Sequence, residues 1–236
     1  MDRQAVFERK CKMSFSIEHI HKKYGFRTIL KDITFVAEPG TMTGILGGNG
    51  CGKSTLLSVL AGVSRNGGGK FRYNDKNLFT YRKLRSNLVG FVPQGTPLIE
   101  ELTAKDNLLL WYSRDQIAKQ LKTGVLGMLG VEEFLNVTVR KMSGGMKKRL
   151  SIGCAVAHMP RLLLMDEPSA ALDLPCRERI GNYLKAYKEY GGTVIIATHD
   201  VNEIEMCDRL FIIKDGRLEP YVFDGNIHTL AGRLSI

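Results

Sequence analysis

Apolar residues recur along this chain in different rhythms, and the rhythms divide it into three parts. Between residues 14 and 46 they come in short runs separated by turn residues: Phe15-Ser16-Ile17, then Ile29-Leu30 beyond a turn at Tyr24-Gly25, then Ile33-Thr34-Phe35-Val36 before Pro39-Gly40. Such runs predict short strands joined by turns. Thr43-Gly44-Ile45-Leu46 is short and apolar, as a buried strand is, and residues 55–62 behind it read as a helix ended by glycine. The run Asn66-Gly67-Gly68-Gly69 predicts a loop, and residues 88–92 a strand closed by Pro93. From about 96 to 160 the pattern turns helical, with helices predicted over 106–122 and 144–158. Beyond it, strands at 161–165, 193–198 and 209–213 alternate with helices at 175–190 and 201–206. That alternation predicts an α/β fold with a parallel sheet and helices on its faces. No internal repeat, low-complexity tract or sustained heptad interrupts it, and the segment after Gly216 is too short for another domain.

Composition narrows the setting. A chain of 236 residues suits one large domain, or one domain with an inserted lobe. Its 44% hydrophobic content and 25 glycines fit a loop-rich α/β protein. No apolar run approaches the roughly 20 residues of a membrane-spanning helix. Residues 1–13, a short extension, are mixed and charged and lack the apolar core of a signal peptide. The expectation is a soluble chain, or one held at a membrane through a partner. Five cysteines, Cys11, Cys51, Cys154, Cys176 and Cys207, are odd in number and lack metal-ligand spacing, which suits a reducing cytoplasm. The net charge of +10 gathers at 10–12, 22–23, 82–85 and 147–149. None of these clusters has the interleaved aromatics of a base-stacking platform, so direct nucleic-acid binding is not expected. A solvated surface and a polyanionic ligand account for the charge, and anionic lipid headgroups suit it equally.

Two short stretches carry chemistry. Gly47-Gly48-Asn49-Gly50-Cys51-Gly52-Lys53-Ser54 matches the phosphate-loop pattern in full, between a predicted strand and a predicted helix that opens with Thr55. Its glycines let backbone N–H groups turn toward phosphates, and the helix adds its positive end. Lys53 is placed to reach the β- and γ-phosphates and the Ser54 hydroxyl to sit on Mg²⁺. Cys51 fills a position the pattern leaves free. The second stretch is Leu162-Leu163-Leu164-Met165-Asp166-Glu167, an apolar strand ending in two carboxylates. Strand ends are where α/β proteins place ligands. Asp166 is expected to hold Mg²⁺ directly or through water, and Glu167 to orient or deprotonate the attacking water.

With these motifs in this order, the chain resembles the nucleotide-binding subunit of an ATP-binding cassette (ABC) transporter over roughly residues 14–219. Met142-Ser143-Gly144-Gly145-Met146 stands where that family carries its Leu-Ser-Gly-Gly-Gln signature. The resemblance implies a P-loop NTPase of ABC ATPase fold: a mixed sheet, an N-terminal antiparallel β-subdomain and a helical subdomain at about 96–160, all within one cassette spanning 14–236. It implies that two such subunits sandwich ATP, each nucleotide lying between the phosphate loop of one and Ser143, Gly144, Gly145 and Met146 of the other. It further implies that Gln94 contacts Mg²⁺ and the attacking water, that His199 contacts the γ-phosphate, and that Tyr24 stacks on adenine. Ala171, Leu172 and Asp173 match the family's dimer-contact loop. A separate membrane permease follows as partner, with the chain at the inner face of the cell membrane. Met142 and Met146 depart from the usual Leu and Gln, and Met146 lacks the amide of that glutamine. Ser-Gly-Gly-Met followed by Lys147-Lys148-Arg149 resembles the ABC-2 type exporters. A soluble single-cassette ATPase of a cofactor-assembly or nucleic-acid-related complex is the alternative that carries the same motifs.

Overall fold

In the computed structural model, which describes residues 14–234, the chain opens on a long antiparallel hairpin of β1 (Phe15–Tyr24) and β2 (Arg27–Ala37). Phe15 and Ile17 on one strand and Ile33 and Phe35 on the other are buried in the period of two of a sheet with one face on the core, and Ile20 rejoins that face beyond a shift of register. β3 (Met42–Leu46) is buried at every position and runs into the phosphate loop and α1 (Lys53–Ala61). β4 (Gly68–Tyr73) and β5 (Lys76–Asn77) return to the hairpin, β4 pairing antiparallel with β1. α2 (Arg82–Leu88) then leads into β6 (Val89–Val92).

The helical segment follows as α3 (Ala104–Leu109), α4 (Arg114–Thr123), α5 (Val125–Met128), two 3₁₀ turns and α6 (Gly144–Ala155). The chain closes with β7 (Leu162–Asp166), α7 (Leu174–Glu189), β8 (Thr193–Ala197), α8 (Val201–Glu205), β9 (Arg209–Lys214), β10 (Arg217–Tyr221) and α9 (Ile227–Leu234). Among the described residues these strands form one sheet in the order β5-β4-β1-β2-β10-β9-β3-β8-β7-β6. From β9 to β6 every pairing is parallel, whereas β10 is antiparallel to β9 and meets β2 only at Arg217 and Asp32.

Alternate residues of β7 serve two cores. Leu162 and Leu164 pack with Leu56, Leu57 and Leu60 of α1, while Leu163 and Met165 pack with Leu150 of α6 and Ile180 and Leu184 of α7. The central sheet is therefore covered on both sides, which is why its strands read as continuous apolar runs.

Three local expectations are corrected. The helix expected over 106–122 is two helices, because Thr103 with Asp106 and Ser113 with Gln116 each form a capping box that starts a new one. α2, β5, β10 and α9 are short or mixed in polarity and carry no clear period in the sequence. The glycine run at 66–69 is half strand. There β1 bulges, with His19 at φ 52°, and β4 passes so close that a Cβ on Gly69 (φ +88°) would lie 2.4 Å from the His19 carbonyl oxygen. Glycine inside a strand marks such a bulge. Gly69→Ala is expected to lower stability by about 2 kcal/mol, read from the urea midpoint. An unchanged midpoint would mean that this segment is a free loop.

Candidate nucleotide-binding and catalytic site

The phosphate loop hangs from the end of β3. Gly47, Gly50 and Gly52 take φ of 151°, 75° and 118°, values from which a side chain is excluded. No side chain caps the first turn of α1, so its N–H groups are available to an anion. Lys53 is buried and arches back over the loop, donating from Nζ to the Gly47 carbonyl at 2.6 Å and the Gly48 carbonyl at 3.3 Å. Asn49, Gly50 and Ser54 are exposed, and Gly48, Cys51 and Thr55 are half-buried.

Asp166 ends β7, buried opposite this loop. Burial foremost, with the neighbouring Glu167 charge, pushes its carboxyl above the ordinary value, while the Ser54 hydroxyl and the ammoniums of Lys53 and Lys148 pull it back. Ser54 and Asp166 thus set a hydroxyl beside a buried carboxylate, hard oxygen donors of the kind that Mg²⁺ takes, so the residues present fit that ion.

Glu167 is the centre of the arrangement. Its N–H donates to Ala197 O at 2.9 Å, extending the ladder beyond β7, and its backbone sits in the left-handed region at φ 46°. Such strain in a non-glycine residue marks a side chain that is being aimed. Its carboxylate accepts from Gln94 Nε2 at 3.0 Å through Oε2, and Oε1 lies 3.3 Å from His199 Nδ1. The Glu167 side chain is 13% exposed and that of His199 62%, so the glutamate is held from within and the histidine faces outward.

The other expected residues lie apart from this cluster. Ser143 caps α6, its Oγ accepting from the Met146 N–H at 3.2 Å. Ser143 and Gly144 are exposed, and a Cβ on Gly144 would meet nothing within 4 Å. Met146 is half-buried and packs against the helical core. Among the described residues no hydrogen bond joins residues 143–146 to the phosphate loop of the same chain. In the loop of Ala171, Leu172 and Asp173, Ala171 is at φ 57° and Asp173 caps α7 through Cys176 N–H at 3.0 Å. Tyr24 is half exposed at the hairpin tip, with Lys22 Nζ 4.8 Å from its ring centroid and its hydroxyl 3.3 Å from Ser64 Oγ.

Several side chains that hold these loops were not apparent beforehand. Of the basic run at 147–149, expected at the surface, Lys148 and Arg149 are buried. Arg149 donates to the Leu129 carbonyl at 2.9 Å, pairs with Glu133 and lies over the Phe134 ring. Arg177 donates to Leu172 O at 2.9 Å and to Asp200 Oδ2 at 2.7 Å, tying the loop at 171–173 to the residue after His199. Glu203, buried on α8, accepts from the Thr198 hydroxyl. Burial raises its carboxyl, against the hydroxyls of Thr198 and Ser169. The sequence signal was present for Asp173, an N-cap before Pro175, but a buried Lys or Arg on a helix looks like any exposed one.

This geometry defines a P-loop nucleotide-binding protein in which a glutamate, a glutamine and a histidine meet at the strand ends beside the phosphate loop. Comparison with known proteins identifies the kind. Residues 30–170 match the family model described as ABC transporter, and the chain belongs to that family as an ATP-binding cassette, its ATPase type. It is 36% identical over 206 residues to the linearmycin resistance ATP-binding protein LnrL of Bacillus subtilis (strain 168), covering 85% of this chain and 66% of that protein. The chain thus spans about two thirds of that relative's length. It is 32% identical over 233 residues to the Nod factor export ATP-binding protein I of Rhizobium etli, covering 96% of this chain and 72% of that protein. The fold matches the dimeric, post-hydrolysis structure of the ATP-binding cassette MJ0796 bound to ADP and Pi, with a TM-score of 0.75 and 31% identity over 87% of this chain and 96% of that one. Lys53→Ala is expected to weaken ATP binding by about 2 kcal/mol, about thirtyfold, through loss of a charge-assisted contact. Calorimetric titration reads it, and an unchanged Kd would remove Lys53 from the phosphate site.

Proposed function

We propose that this cassette binds MgATP and hydrolyses it to drive a separate membrane permease, with export as the direction of transport. The carrying observation is the Glu167 carboxylate gripped between Gln94 and His199 at the end of the strand that faces the phosphate loop. In this reading the glycine loop, Lys53 and Thr55 hold the triphosphate and Tyr24 packs on the adenine. Ser54, Asp166 and Gln94 hold Mg²⁺, which when bound draws charge from the phosphoryl oxygens. Glu167 accepts a proton from water as its oxygen bonds to the γ-phosphorus and the bond to the bridging oxygen breaks. His199, exposed beside it, donates toward the γ-phosphate oxygens as charge builds there.

The cassette works as a pair in this reading. Ser143, Gly144 and Gly145 are exposed or half-buried at the start of a helix and, among the described residues, make no hydrogen bond to their own phosphate loop, so they suit the nucleotide of a second subunit. Ala171, Leu172 and Asp173 would meet that subunit. The permease docks on Ile99, Leu110 and Trp111, which are 45, 58 and 61% exposed beside the Gln94 loop. Asn107 binds Ile99 to α3, accepting its N–H at 2.9 Å and donating to its carbonyl at 3.1 Å. Among the described residues no helix is long and apolar enough to cross a membrane, and in this reading the membrane spans are those of the permease. The cassette, with residues 96–160 as its helical subdomain, then sits at the inner face of the cell membrane. The name of the Nod factor export protein supports export.

Glu167→Gln should lower kcat by at least about a hundredfold while leaving ATP affinity within a small factor. Turnover at the wild-type rate would remove Glu167 from the chemistry. Affinity capture from native membranes in mild detergent should retrieve a polytopic membrane protein, and Trp111→Glu should lose it without losing ATP binding. Retrieval of soluble partners alone would contradict the transporter reading in favour of a soluble assembly ATPase.

A further inference from the structure

Gln94 is exposed on a loop with little of its own to hold it, since a Cβ on the next residue, Gly95, would meet nothing within 4 Å. Yet its amide is set on Glu167 at 3.0 Å. The fixing contact comes from the signature helix. Lys148, on the second turn of α6, is 4% exposed and sends its ammonium to two consecutive carbonyls, Pro93 O at 2.9 Å and Gln94 O at 2.9 Å. An ammonium on neutral carbonyls at this depth is costly unless it is needed where it stands. Burial pushes its pKa below the ordinary lysine value, and the charges of Asp166, Glu203 and Glu167 pull it back up. Lys148 is thus buried near the carboxylates of Asp166 and Glu167 at the end of β7 and of Glu203 on α8, while its hydrogen bonds go to the loop.

We propose that Lys148 is a positioning residue that fixes the backbone at Pro93 and Gln94, sets the Gln94 amide against Glu167, and thereby joins the helix begun by Ser143 to the catalytic carboxylate of the same subunit. The inference rests on the roles given above to Gln94 and Glu167.

The test measures ATP hydrolysis for wild type, Lys148→Met, Lys148→Arg, Gln94→Ala and the double variant Lys148→Met/Gln94→Ala, with Glu167→Gln as the reference for lost chemistry. Lys148→Met, which keeps the volume and loses the donors, should lower kcat by about tenfold to a hundredfold, with KM within about twofold. Lys148→Arg, which keeps charge and donors, should recover most of the rate. The double variant should be no slower than Gln94→Ala, because both changes break one path. In the nucleotide-free protein, amides at 94–96 should exchange hydrogen faster in Lys148→Met, while those of β3 and β7 exchange as in wild type. If Lys148→Met does not fold, Lys148→Gln carries the same readouts. A wild-type kcat, multiplying losses in the double variant, or unchanged exchange at 94–96 would each overturn the role of Lys148. Failure of the underlying reading is distinguishable, since wild-type hydrolysis would then be absent or would not depend on Glu167.

Discussion

The parallel pairing of β6, β7, β8 and β3 is the constraint on which the rest of the structure depends. Val92 pairs with Met165, Met165 with Ile196, and Ile45 with Ala197. This register brings the carboxyl ends of four strands to one level. Gln94 comes two residues after the end of β6, Glu167 two after Met165, and His199 two after the end of β8, while β3, on the far side of β8, delivers the phosphate loop at the same end of the sheet. A shift of one residue in β7 would turn Leu163 and Met165 from the α6–α7 core to the α1 core and move both carboxylates with them. The apolar packing on both faces therefore sets the catalytic geometry as well as the stability.

A second layer of order is polar and buried. Lys148, Arg149 and Glu203, all buried, and the half-buried Arg177 each bind loop backbone or hydroxyls. Together they tie the loops bearing Gln94, Leu172 and His199 to the helices beneath. The left-handed backbones of Glu167 and Ala171 lie inside this network, which holds them in conformations a free loop would leave. The surface at Ser143 and Gly144 contrasts with it: both are exposed, and a Cβ on Gly144 would meet nothing within 4 Å. In the proposed reading this open surface is where a second copy completes the site.

Much of this was legible in the sequence, for identifiable reasons. The phosphate loop and the apolar strand ending in Asp166 and Glu167 are local patterns in which residue type and spacing carry the chemistry directly. The helix break at Ser113 was legible as well, through the Ser113–Gln116 spacing, but an amphipathic run masked it. The strand at 68–73 was hidden because its glycines serve a bulge opposite His19, a contact between segments some fifty residues apart. The burial of Lys148 and Arg149 was hidden for a related reason. Charge predicts exposure, and only the folded Gln94 loop and the Leu129 turn supply the carbonyls that make burial tolerable.

The central claim, a site completed by a second copy, is tested most directly by sedimentation of the Glu167→Gln protein with and without MgATP, beside the same protein carrying Ser143→Arg. The account predicts a doubling of mass on saturation with MgATP, and no doubling for the Ser143→Arg form although it still binds nucleotide. A protein saturated with MgATP that keeps the mass of one chain with Ser143 intact would contradict it.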